Sequence, residues 1–140
     1  MFDTILVGTD GSEGATVAVE HATELARLLG ATLHVVSVAK PMPRSATAGT
    51  PSDDFTEDAR QALNRAAEWA RASGVRVETH AVMGAPAHML VEQAEKLQAD
   101  VIVVGNRGML GTRRFLGSVP NAVTHHARCS VLIVETQSHT

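Results

Sequence analysis

The chain has 140 residues, 44% of them hydrophobic and 19% charged, with a formal net charge of −3. That is the size and composition of one globular domain, residues 1–140, with a sizeable core and no room for a second. Three Phe, one Trp and no Tyr on an acidic chain exclude a general nucleic-acid binder, which needs a basic face or stacking platforms, and no apolar run approaches the roughly 18 residues of a membrane span.

The first residues, Met1-Phe-Asp-Thr4, lack a basic leader and pass straight into an apolar run, so a cytoplasmic protein is expected. Thr4–Val7 reads as the first strand, and the polar turn Gly8-Thr-Asp-Gly-Ser12 follows it. A helix is predicted from about Glu13 to Leu29: Val17, Ala18, Ala22, Leu25, Ala26 and Leu29 recur at helical spacing, Ser12 can cap it and Gly30 stops it. Thr32–Val38 is the second strand. Residues 39–52 carry no periodicity and form the one long loop, readable either as a mobile lid or as an idle excursion.

A second helix is predicted from about Asp54 to Ser73, with Ala59, Leu63, Ala66, Ala67 and Ala70 inward and Gly74 as its stop. In the third strand, Val75–Val82, Val75, Val77, Thr79 and Ala81 alternate with Arg76, Glu78 and His80, which points to one wetter face and an edge position. Pro86 suits the first turn of a third helix that runs to about Gln98. Asp100–Val104 is the fourth strand, a short helix follows Gly117-Ser118, and Ser130–Val134 is the fifth strand. Strands alternating with helices predict βαβ units and a parallel sheet, and the continuously apolar first, fourth and fifth strands predict helices on both faces. The single cysteine, Cys129, excludes an internal disulfide, fits a reducing compartment and reads as a small residue near a strand start rather than a nucleophile.

Between the fourth strand and the last helix lies a glycine-punctuated basic loop carrying Gly105, Arg107, Gly108, Gly111, Arg113 and Arg114, ending at Gly117-Ser118. Glycines let a backbone approach an anion, and the free N–H groups of a helix start point at it with the macrodipole behind them. The same composition also serves an ordinary βα connection. Gly105, Gly108 and Gly111 match neither the dinucleotide fingerprint nor a P-loop, and no P-loop lysine is present.

Architecture sharpens this reading. If the first strand is central, the strand order reverses between strands one and four, and ligands of open parallel sheets bind beyond the carboxyl ends at that reversal. Both polar glycine turns converge there. Asp10 then suits ribose hydroxyls, with a turn or cap role as the alternative, and the backbone of Val35–Val38 can meet a base edge. No nucleophile elbow, His-Glu-x-x-His or Cys/His cluster is present, so no catalytic residue and no metal ligand is assigned.

Val7-Gly-Thr-Asp-Gly-Ser12, Gly84-Ala-Pro86, Ala99–Gly108, Leu116-Gly-Ser-Val-Pro120 and Cys129–Val134 together resemble the universal stress protein family over essentially the whole chain. The resemblance implies a doubly wound five-stranded α/β sheet of order 3-2-1-4-5, Rossmann-like, in a stress-response protein that dimerises through its last strand, here Val131–Val134. It implies that Asp10 contacts ribose, that Thr9 and Val35 line the base site, that Val104 and Gly105 border base and ribose, and that Gly108, Gly117, Ser118 and Val119 hold phosphates. The expected ligand is ATP, with Mg²⁺ carried on its phosphates, and cyclic AMP is the alternative. A non-binding interaction protein of the same fold is the other reading. The binding branch has nine residues between the glycines that correspond to Gly108 and Gly117; this chain has residues 109–116, eight. The protein is not expected to be an enzyme, since no residue is dedicated to positioning a hydrolytic water.

Overall fold

The structure, a computed structural model, describes residues 1–39, 53–106 and 116–136, without the side chains of 53–56. The elements run β1 (Thr4–Gly8), α1 (Glu13–Leu29), β2 (Thr32–Ala39), α2 (Asp53–Ala72), β3 (Val77–Met83), α3 (Pro86–Leu97), β4 (Val101–Gly105), α4 (Ser118–His126) and β5 (Ser130–Val134). The strands form one parallel sheet of order β3-β2-β1-β4-β5. Residues 40–52 of the long loop fall outside the described residues, as do Arg107, Gly108, Gly111, Arg113 and Arg114.

Successive strand residues point to opposite faces, so a strand covered on both sides must be apolar throughout. Ile5, Val7, Leu33, Val35, Val101 and Val103 pack on one face against α1 and α2. Leu6, Val36, Ile102 and Val104 pack on the other with Leu90 and Ala94 of α3 and Val123 of α4. The amino ends of β1 and β4 are tied by Asp100, whose Oδ2 accepts from the backbone N–H of Asp3 at 2.8 Å and of Thr4 at 3.0 Å.

Helix ends follow their local chemistry. Ser12 Oγ accepts from the Ala15 N–H at 3.2 Å and starts α1, and Gly30 at φ 65° ends it. After α2, Gly74 at φ 82° lets its N–H reach the Arg71 carbonyl while the Val75 N–H reaches Ala70, the paired bonds of a Schellman cap. That cap uses the Val75 amide, which is why β3 begins at Val77 rather than at Val75.

β3 is the sheet edge, as its alternation predicts, but its faces are not uniform. Val77 is half-buried beneath α2, whereas Thr79 and Ala81 are exposed; on the opposite face Glu78 is exposed while His80 and Val82 are half-buried on the α3 side. His80 therefore does not lie on a wetter face. Cover passes from one side of the strand to the other along its length.

Ile102 is fully buried in the middle of the face covered by α3 and α4. Ile102→Ala is expected to lower unfolding stability by about 2–5 kcal/mol. Urea denaturation with an unchanged slope checks it, and a loss well below that range would mean that this layer can close over the cavity.

Candidate functional site

Because strands β2 and β3 lie on one side of β1, and β4 and β5 on the other, α1 and α3 leave the sheet on opposite faces and the carboxyl ends of β1 and β4 open into a crevice. The β1 side of that crevice is a tightly specified turn. The Thr9 N–H donates to the Val36 carbonyl at 2.9 Å, which carries the chain one residue beyond β1 alongside β2. Thr9 Oγ1 accepts from the Gly11 N–H at 3.1 Å, and Asp10 Oδ1 accepts from the Ser12 N–H at 3.0 Å. Gly11 stands at φ 83°, which favours glycine. Asp10 thus serves the turn, with its side chain exposed beside the start of α1.

A cation that the sequence offers no reason to place here arrives from α2. A Cβ on Gly11 would lie 3.2 Å from Nη2 of Arg65, so the guanidinium rests over the β1–α1 turn. Sequence separation hides such a neighbour; only the packing of α2 beside α1 brings it in.

On the β4 side, Gly105 is a point of close approach. A Cβ there would come 2.9 Å from Thr136 Cγ2 and 3.4 Å from the Gly14 carbonyl oxygen, so β4, the start of α1 and the chain beyond β5 meet at a position where only glycine fits without a shift. Asn106, 6% exposed, locks that junction. Its N–H donates to the Val134 carbonyl at 3.0 Å and its Nδ2 to Glu135 Oε1 at 2.9 Å, while its Oδ1 accepts from the Thr136 N–H at 3.0 Å and the Thr136 hydroxyl at 2.8 Å. The sequence assigns Asn106 no role of its own.

α4 returns the chain from the carboxyl end of β4 to the amino end of β5, so its N-terminus lies at the crevice. Gly117 caps it with no side-chain hydrogen bond. The first N–H groups of a helix have no intrahelical acceptors, and Pro120 has none to offer, which leaves those of Gly117, Ser118 and Val119.

The sequence-assigned residues are therefore gathered unevenly. Thr9, Asp10 and Gly105 line the facing ends of β1 and β4, and Gly117, Ser118 and Val119 start the helix above. Val35 is fully enclosed among the residues under α1, and Val104 is 5% exposed on the opposite face. Their side chains are enclosed in the two core layers, on opposite faces of the sheet. Arg107 and Gly108 lie outside the described residues.

A shallow cleft lies at the other end of the sheet, between α3 and the start of β5, lined by Val91, Ala94, Gln98, Ile102 and Cys129. Burial, reinforced by the Asp100 carboxylate, pushes the Cys129 thiol above its ordinary range. The uncharged thiol is a poor nucleophile, so this cleft lacks the chemistry of the crevice.

The model of the universal stress protein family matches residues 1–135 of this chain. A universal stress protein of Mycobacterium tuberculosis is 36% identical over 143 residues, spanning 96% of this chain and 97% of its own. Among solved structures, a universal stress protein in complex with cAMP superposes with a TM-score of 0.80 at 33% identity, over 96% of this chain and 98% of that one. A universal stress protein from Archaeoglobus fulgidus in complex with dAMP does so with a TM-score of 0.77 at 27% identity, over 96% and 100%.

Two outcomes follow from this geometry. Asn106→Ala removes the acceptor of two Thr136 donors, and hydrogen exchange at the Thr136 amide should quicken by about 10-fold or more, the equivalent of one lost bond; unchanged protection would mean that the junction holds without Asn106. Cys129 should react with a thiol reagent more slowly than free cysteine at neutral pH, because less thiolate is present, and its rate should still be climbing as pH passes the ordinary value of 9.0. A rate that levels off at neutral pH would contradict the raised pKa.

Proposed function

Because the chain belongs to the universal stress protein family, we propose that it is a cytoplasmic stress-response protein that binds ATP in the β1–β4 crevice and acts as a regulatory dimer. The observation that carries this reading is the convergence, at the single reversal of strand order, of the Asp10 turn with an N-terminus of α4 whose N-cap, Gly117, makes no side-chain cap hydrogen bond. Relatives of the same fold in complex with cAMP and dAMP support the adenine nucleotide as the ligand class.

In this reading the exposed Asp10 carboxylate accepts from ribose hydroxyls. Thr9 and the backbone at Val35 and Val104 border the base, with Gly105 at the ribose edge. The amides of Gly117, Ser118 and Val119 hold phosphate oxygens at the positive end of α4. Arg107 and Gly108 complete the phosphate loop, and Mg²⁺ comes with the nucleotide. No residue is assigned to catalysis, so occupancy acts by shifting populations, and the shift is limited to the difference in ligand affinity between the two states. Cyclic AMP is the second reading, favoured by the cAMP complex of a relative.

β5 supplies the dimer surface. It is an edge strand with Leu132 41% exposed, and an uncovered parallel edge of this composition invites pairing with a second copy.

Calorimetric titration of nucleotide-stripped protein with ATP–Mg²⁺ and, separately, with cAMP tests the ligand. Saturable ATP binding that Asp10→Ala weakens by about 10–100-fold, the worth of hydrogen bonds to a charged group, is expected. Gly117→Val should weaken it too while the circular dichroism spectrum stays unchanged. Preference for cAMP would select the second reading, and no heat with an unchanged melting temperature for either would overturn both. Light scattering should give a dimer mass that Leu132→Lys converts to a monomer mass; a monomeric parent protein would refute the β5 interface.

A further inference from the structure

Two histidines and a carboxylate that the crevice does not use meet at the far edge of the sheet. His34 lies on β2; Glu78 and His80 lie on the edge strand β3. The parallel register pairs His34 with Glu78 and Val36 with His80, and the two-residue period of a strand puts Glu78 and His80 on the same face as His34. His34 Nδ1 and His80 Nε2 are 2.9 Å apart, with ring centroids 5.1 Å apart. One donor atom from each of the three residues falls within 4.8 Å of the others.

Two ring nitrogens at hydrogen-bond distance hold at most one proton between them, so at least one imidazole is neutral and presents a lone pair. His34 is 7% exposed, so one ligand of the group is held inside the sheet. Tetrahedral Zn²⁺ with Zn–N bonds of about 2.0–2.1 Å separates two ligand nitrogens by about 3.3 Å, so the pair must open by about half an ångström, release the proton it shares and turn its rings until both lone pairs face the ion. Exposed Glu78 and the edge position leave an entry path from solvent.

We infer that His34, Glu78 and His80 form a binding site for a transition-metal dication, Zn²⁺ by its donor set, clamping the edge strand β3 to β2. Two imidazoles and one carboxylate suit Zn²⁺, Co²⁺ and Ni²⁺ and do not suit Mg²⁺ or Ca²⁺, which take oxygen ligands. Three protein ligands leave a fourth position for water or an incoming donor. The site lies across β2 from the crevice and shares no ligand with it, so it stands or falls independently of nucleotide binding.

The test is equilibrium dialysis of the full chain, stripped with chelator, against Zn²⁺ alone, with Co²⁺ as the spectroscopic probe. One Zn²⁺ per chain is expected, as is a Co²⁺ visible spectrum of tetrahedral intensity. Glu78→Gln, at an exposed position that cannot unfold the chain, and His80→Gln should each weaken Zn²⁺ binding at least as much as the roughly 10–100-fold that loss of a mere supporting partner costs. A variant carrying His125→Gln, His126→Gln and Cys129→Ser should bind as the parent does. Failure of the parent to take up Zn²⁺, or uptake that survives both β3 substitutions or disappears with the His125, His126 and Cys129 substitutions, would overturn the assignment.

Discussion

Every feature of the crevice depends on the hydrogen-bonded pairing of β1 with β4. In a parallel sheet each crossover is right-handed, so strands added on opposite sides of β1 send their helices to opposite faces. Between the two directions the sheet edge at the carboxyl ends cannot be roofed by either helix layer. The gap is a product of topology before any polar residue is placed in it. What the sequence adds is the lining: a polar turn with Asp10 on one lip, and on the other Gly105 and the start of α4.

Much of this was readable from local chemistry. Apolar runs marked β1 and β4 as strands covered on both faces but misjudged β5, an edge strand whose Leu132 is 41% exposed; Ser12 and Gly30 marked the ends of α1 and Gly74 the end of α2, because each cap acts on neighbours within one turn. The strand order was not local: it was expected from the family resemblance, and the crevice between β1 and β4 followed once β1 was taken as central. Reasoning from pattern failed where a residue's partner is distant. Arg65 reaches Gly11 across more than fifty positions, and Asn106 is buried by residues beyond β5. The Glu78-Thr79-His80 spacing was visible on one face of a strand, but His34 became its third member only through the β2–β3 register.

The two lips of the crevice are held with different stiffness. The β1 turn is held largely by bonds among Thr9, Gly11, Asp10 and Ser12, within four residues, with the Thr9 N–H tied to Val36 of β2. The β4 lip is fixed from outside, through Asn106 to Glu135 and Thr136. A displacement of the chain that leaves β5 therefore bears directly on the residue after Gly105. The same strand provides the exposed edge at Leu132, so the binding lip and the proposed dimer edge are mechanically adjacent, which is the arrangement that a population shift at one needs in order to register at the other.

Pro120 has a consequence for ligand valence. A helix start ordinarily presents four unpaired amide donors; with proline at the third helical position α4 presents three, at Gly117, Ser118 and Val119. Three donors match the oxygens of a single phosphoryl group. If a phosphoryl group binds there as proposed, its oxygens can take all three amides, and further phosphates of a longer chain would need other donors, of which Arg65 over the β1–α1 turn is one among the described residues. Discrimination between nucleotides of different phosphate number would then rest with those donors, while the helix sets only the first point of attachment.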